Sequence, residues 1–125
     1  MNRGTSIKLF QDKKIRSAWS ETEEQWYFSV VDVVSALTDS INATDYLKKM
    51  RKRDVELSNY LGTNCPQVEM HTETWKRRKT LAGTVKDILR IIQSIPSPKA
   101  EPFKLWLAQV GYERLQEDGQ DRIRY

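Results

Sequence analysis

The sequence predicts an α+β domain: an N-terminal antiparallel meander, a helix pair, a β-hairpin and two C-terminal helices around one core. Three observations predict it. Apolar and polar residues alternate with period two between Thr5 and Phe28. Three later segments carry apolar residues at i, i+3, i+4, i+7. Between them, alternation returns from Val68 to Leu81, interrupted by the polar turn at Glu73–Trp75. The chain has 125 residues, 38% of them hydrophobic, which suffices for one core without staples.

In the meander, Ile7 and Leu9 alternate with Lys8, and Ile15, Ser17 and Trp19 alternate with Arg16 and Ala18. Trp26, Tyr27 and Phe28 form a third, aromatic strand. The polar breaks are Gln11–Lys13 and Ser20–Glu24. Ser29 then opens a helix with Asp32 as its capping-box partner, and Val30, Val33, Val34 and Leu37 form its apolar stripe. Asn42, with Asp45 three residues on, opens the next helix, which carries Tyr46, Leu47, Met50 and Leu57. Thr38–Ile41 joins the two, as in the helix pairs that enter a major groove.

Asn59–Gln67 reads as a loop because Gly62 and Pro66 interrupt it. Val68, Met70 and Thr72 begin the hairpin, and Lys76–Leu81 is its return strand, ended by Gly83. Thr84 opens the third helix with Asp87 as capping-box partner, and Val85, Ile88, Leu89 and Ile92 are its stripe. Ser97 and Pro98 open the fourth, with Pro102 awkward unless the helix begins nearer Glu101. Phe103, Trp106, Leu107 and Val110 follow, and Gly111 is the expected stop. The domain is expected over residues 1–110, with a polar tail at 111–125.

The net charge of +4 conceals an uneven distribution. Five bases lie between Lys48 and Arg53 (KKMRKR), and four at Lys76–Lys79 (KRRK). Without these nine, 12 bases remain against 17 acids, a net charge of −5. Concentrated cations on an acidic body point to an anionic partner, usually nucleic acid. On a strand, Arg77 and Lys79 face one side and Lys76 and Arg78 the other, so at least half the run projects outward.

No apolar run is long enough for a membrane span, and Met1–Ser6 carries no signal-peptide core. The single cysteine, Cys65, excludes an internal disulfide, and the single histidine, His71, leaves little for metal or triad chemistry. Asp32, Asp45 and Asp87 sit where helix caps want them, and His71 between Glu69 and Glu73 reads as a charge-balanced strand face. The expectation is therefore a cytoplasmic protein, nucleoid-associated in a bacterial or phage setting, with no catalytic residues, metal or cofactor. Trp75 stands apart from the other tryptophans. It sits in the hairpin turn directly before KRRK, where it can stack on a base, pack on a partner or fold back over the hairpin.

The run LRIIQSIPSPKAEPFKLWL (Leu89–Leu107) resembles the second half of the Bro-N domain, the N-terminal domain of the baculovirus repeated-ORF family. The matching features are Arg90-Ile91-Ile92, Ser94, Pro98 with Ala100, Phe103 and Trp106. The run Trp26–Val34 (WYFSVVDVV) resembles the family's strand leading into its first helix, and the basic helix follows in order. The resemblance spans Ile7 to Val110 and implies DNA binding, as in viral DNA-binding proteins, phage antirepressors and DNA-damage-inducible bacterial proteins. Family members usually carry a second, variable domain after this one. Trp75 departs from the family, whose hairpin turn often carries glycine before its Lys-Arg run.

The resulting expectation is sequence-influenced binding of double-stranded DNA by a phage or prophage type of transcription regulator. Lys48, Lys49, Lys52, Lys76 and Lys79 would anchor phosphates, and Arg51, Arg53, Arg77 and Arg78 are the candidates for base edges. The alternative is an antirepressor module that binds a repressor protein, with Trp75 at the contact. RNA binding would need Trp19 and Trp26 on an open sheet face. No membrane contact is expected, and the sequence leaves a homodimer open.

Overall fold

A computed structural model describes residues 5–72 and 74–123. Among them lie five strands and five helices, in the order β1 (Thr5–Phe10), β2 (Lys13–Ser20), β3 (Gln25–Ser29), α1 (Val30–Thr38), α2 (Ala43–Arg53), α3 (Val55–Asn64), β4 (Gln67–His71), β5 (Arg77–Gly83), α4 (Val85–Gln93) and α5 (Ala100–Ile123). The strands form one antiparallel sheet, ordered β1-β2-β3-β5-β4.

Alternation along β2 and β3 explains the layering. Ile15, Trp19, Trp26 and Phe28 point to one face and join Val30, Val33, Val34, Leu37, Leu47, Leu57, Ile88, Ile91, Phe103 and Leu107 in the main core. The intervening residues Ala18 and Tyr27 point the other way, where they meet Val68, Met70 and Ala82 in a second, small cluster. The sheet curls so that the β4–β5 hairpin covers this second face. Trp19 and Trp26 stack edge-on inside the main core with centroids 5.4 Å apart. They are therefore not an open aromatic platform, and the RNA reading loses the side chains it needed.

Five sequence expectations about the elements are corrected. The helix expected from Asn42 through Leu57 breaks at Asp54, which ends α2 and accepts the Leu57 N–H at 3.0 Å as the N-cap of α3. The loop expected from Asn59 is helical as far as Asn64, because exposed Gly62 costs a helix only about 1 kcal/mol while buried Leu57 and Leu61 anchor it. Ser97 does not cap the last helix. Its hydroxyl donates to Leu37 O at 2.6 Å, and α5 starts at Ala100, leaving Pro102 in the first turn where no N–H is needed.

Gly111 does not stop α5, which continues to Ile123. A Cβ at this position would lie 2.7 Å from Val85 Cγ2, so the glycine serves the close approach of α5 to α4. In β1 the alternation is also inverted: Ile7 and Leu9 are exposed, while Phe10 is buried against Phe103 and Trp106.

Candidate nucleic-acid interface

The first basic run lies on α2. Ala43, Leu47 and Met50 bury one side of this helix against the core. Lys48, Lys49, Lys52 and Arg53 are exposed on the remaining circumference, and Arg51 is half-buried. Three of these cations occupy the last turn, where they also oppose the negative end of the helix dipole. Only Lys49 has an acidic partner among the described residues, Asp45 at 3.2 Å with both side chains largely exposed. The N-terminal turn, the part of a recognition helix that reads bases, carries Asp45 instead. The cations sit in the C-terminal half, a placement suited to phosphates.

The second run lies on the hairpin. Its strands pair from Gln67↔Leu81 to His71↔Arg77, and β5 meets β3 only at Ala82 and Gly83. Residues Arg77 to Leu81 therefore extend beyond β3 as a two-stranded ribbon. Lys76, Arg77, Arg78 and Lys79 are all exposed. The register places Arg77 and Lys79 on the face of Glu69 and His71, and Arg78 on the face of Met70. Arg77 pairs with Glu69 at 3.1 Å across the ribbon. Among the described residues, Lys76, Arg78 and Lys79 have no acidic partner.

Four cations of the body are paired. Lys13 and Lys99 share Asp39 at 3.4 and 2.8 Å, and the Lys99 hydrogen bond holds that carboxyl below its usual range. Lys104 pairs with Glu101, and Arg16 with Asp32. Asp32, Asp39 and Glu101 are thus engaged by these four, while among the described residues only Lys49 and Arg77 of the two runs have an acidic partner. Both runs are carried by elements that pack on α1. The charge of Arg51 reaches Cys65 at the base of the hairpin, where it offsets part of the rise that burial imposes on the thiol.

Trp75 occupies the turn between the strands. It is 72% exposed and has φ of 63°, the left-handed region. Its ring centroid lies 5.0 Å from that of His71 at 57°. Together they border an open groove of about 960 Å³ lined also by Ile7, Lys14, Arg16 and Met70. Trp75 thus leans on His71 of the hairpin with most of its ring left exposed.

Sequence reasoning missed Arg16. The Asp32 carboxylate does not complete a capping box with Ser29. It accepts from Arg16 N at 2.9 Å, Nε at 2.8 Å and Nη2 at 3.1 Å, while Arg16 Nη1 donates to His71 O at 3.3 Å. One guanidinium thus ties β2, the start of α1 and the hairpin. The available signal was an arginine on the sheet face opposite Ile15 and Trp19, too common a pattern to single out.

The other titratable groups serve structure. Asp87 is buried, completes the capping box with Thr84 and accepts from Tyr60 Oη at 2.8 Å. Burial, with that bond, pushes Tyr60 up to about 12. Burial likewise pushes the Cys65 thiol up to about 12. His71 is half-buried and Glu69 is engaged by Arg77; Glu73 lies outside the described residues. Among the described residues no group of His, Cys, Asp and Glu is placed to hold a metal, and no helix is long and apolar enough to cross a membrane.

A curled antiparallel sheet with helices on one face, a cationic helix and a cationic ribbon defines an α+β domain. The model of the BRO family N-terminal domain matches residues 14–112, and the chain belongs to that family. The match begins after β1 and runs into α5. No curated protein and no solved structure matches the chain.

Proposed function

We propose that this domain binds double-stranded DNA without catalysing a reaction on it, as part of a phage or viral transcription regulator of the antirepressor type. The observation that carries the reading is the charge layout. Eight of the two runs' nine cations are exposed, and most lack an acidic partner among the described residues, on a body whose remaining charge is −5. Such runs repel themselves unless an anion occupies them. Family membership agrees with a regulator role.

Lys48, Lys49, Lys52, Lys76 and Lys79 serve as phosphate anchors. Arg78, on the ribbon face away from Glu69, is the better placed arginine for a base edge; Arg77 must first leave its ion pair. Arg51 and Arg53 lie at the C-terminal end of α2, where backbone contact is the natural role. The absence of a catalytic step is part of the proposal: Asp32 and Asp87 are spent on Arg16 and on a cap, and Cys65 is held as a thiol.

The test is a gel shift of the full chain against random duplex, single-stranded DNA and RNA. Preferential retardation of the duplex is expected. Equal or absent retardation of all three would overturn the reading, and a complex formed only with a repressor protein would favour the antirepressor alternative.

A further inference from the structure

We propose that Trp75 is a wedge that enters a base step of duplex DNA, delivered by the β4–β5 ribbon. This rests on the DNA-binding reading above and specifies how that surface engages its partner.

The ring stands at the leading end of an arm. His71↔Arg77 is the last strand pair, and beyond it Thr72 N donates to Lys76 O at 2.8 Å, while Trp75 N donates to Thr72 O at 2.9 Å. Those bonds fix the turn and hold Trp75 at φ of 63°. A bulky residue rarely occupies this region, because its Cβ crowds the backbone. The ring recovers little from burial in return, since it is 72% exposed. Trp19 and Trp26, by contrast, are buried. His71 braces the ring from the strand side.

The surroundings select the partner. Lys76 follows directly, and Arg78 and Lys79 lie within four residues, none of them with an acidic partner among the described residues. A protein pocket closing over Trp75 would have to desolvate Lys76 and Lys79, a residue type depleted from protein interfaces. A DNA duplex instead presents phosphates on both sides of each base step, at the right sign for those cations. Apolar side chains inserted between base pairs partly unstack them and kink the duplex. Pyrimidine–purine steps such as TA deform most easily, so the wedge confers a sequence preference without hydrogen bonds to base edges.

The test uses the full chain and a duplex with 2-aminopurine beside one central TA step. Wild type should bind, raise the 2-aminopurine fluorescence and bend the duplex in an end-to-end energy-transfer measurement. Trp75→Ala should bind about tenfold more weakly, within the range for loss of a base–aromatic stack, with neither signal. Trp75→Gly, which fits the left-handed turn, should melt no lower than wild type and show the same loss. Trp75→Phe should retain part of both signals. Duplex binding by wild type with no fluorescence rise and no bend would overturn the wedge and leave DNA binding standing. Ala and Gly variants that match wild type in affinity and bending would overturn it too. Failure of wild type to bind any duplex at low salt would overturn both readings.

Discussion

Replacing Asp32 by alanine should destabilise the domain by about 3 kcal/mol. The carboxylate accepts three bonds from Arg16, one of them from the backbone N–H, with the two side chains 23% and 17% exposed. Leaving that N–H without a partner costs about 1–3 kcal/mol, and loss of the charge-assisted pair adds a similar amount. Removing the acid from the first turn of α1 adds about 0.5 kcal/mol. Water reaching the site recovers part of the total. For a chain of this length, 3 kcal/mol corresponds to a Tm lower by about 10 °C. Urea and thermal unfolding followed by circular dichroism measure both quantities. The Arg16→Met, Asp32→Ala double variant should lose less than the single Asp32→Ala, since it leaves no unpaired charge. Because Arg16 Nη1 also holds His71 O, amides of Met70 and His71 should exchange faster in the single variant. A loss below 1 kcal/mol with unchanged exchange would refute the assignment of Arg16–Asp32 as the tie between sheet, helix and hairpin.

Three further outcomes are expected. Gly83→Ala should lower stability by about 2 kcal/mol in urea unfolding, because the new Cβ would sit 2.8 Å from Asp87 Cβ and 3.3 Å from Cys65 Sγ, both in buried residues. Cys65 is buried and its thiol is pushed up to about 12, so native protein should react with a thiol reagent at pH 8 far more slowly than urea-unfolded protein. The triple variant Lys48→Ala, Lys49→Ala, Lys52→Ala should weaken binding to all duplexes alike, whereas Arg78→Ala should lose about 1–3 kcal/mol at a preferred base pair only, read by competition between oligonucleotides.

Much of the fold was legible because its local signals agree with its packing. Ser29, Asn42 and Thr84 cap the helices they were expected to open, and the stripes of α1 and α5 face the core; in α4, Ile88 and Ile92 do so, but Leu89 is exposed and Ile91 takes its place. The hairpin turn and both basic runs fall on the expected elements. What failed was decided by partners distant in sequence. Gly111 looks like a stop until Val85 is seen against it, and Gly62 looks like a breaker until Leu61 is seen in the core. Asp54 was hidden because it both closes α2 and opens α3. In β1, Ile7 and Leu9 imitate a core-facing strand, while the register turns them toward the face that carries Arg16 and Lys14. The charge runs could be counted in the sequence. That among the described residues only Lys49 and Arg77 of these runs meet an acid required the folded chain.

The most direct test of the central claim is the salt dependence of duplex binding. If about five of the nine cations meet phosphates, log K should fall with log salt at a slope of about −4 to −5. Removing Lys48, Lys49 and Lys52 together should flatten that slope by roughly 3. A slope near zero, or one unchanged by the triple variant, would contradict the account of α2 and the β4–β5 ribbon as a phosphate clamp.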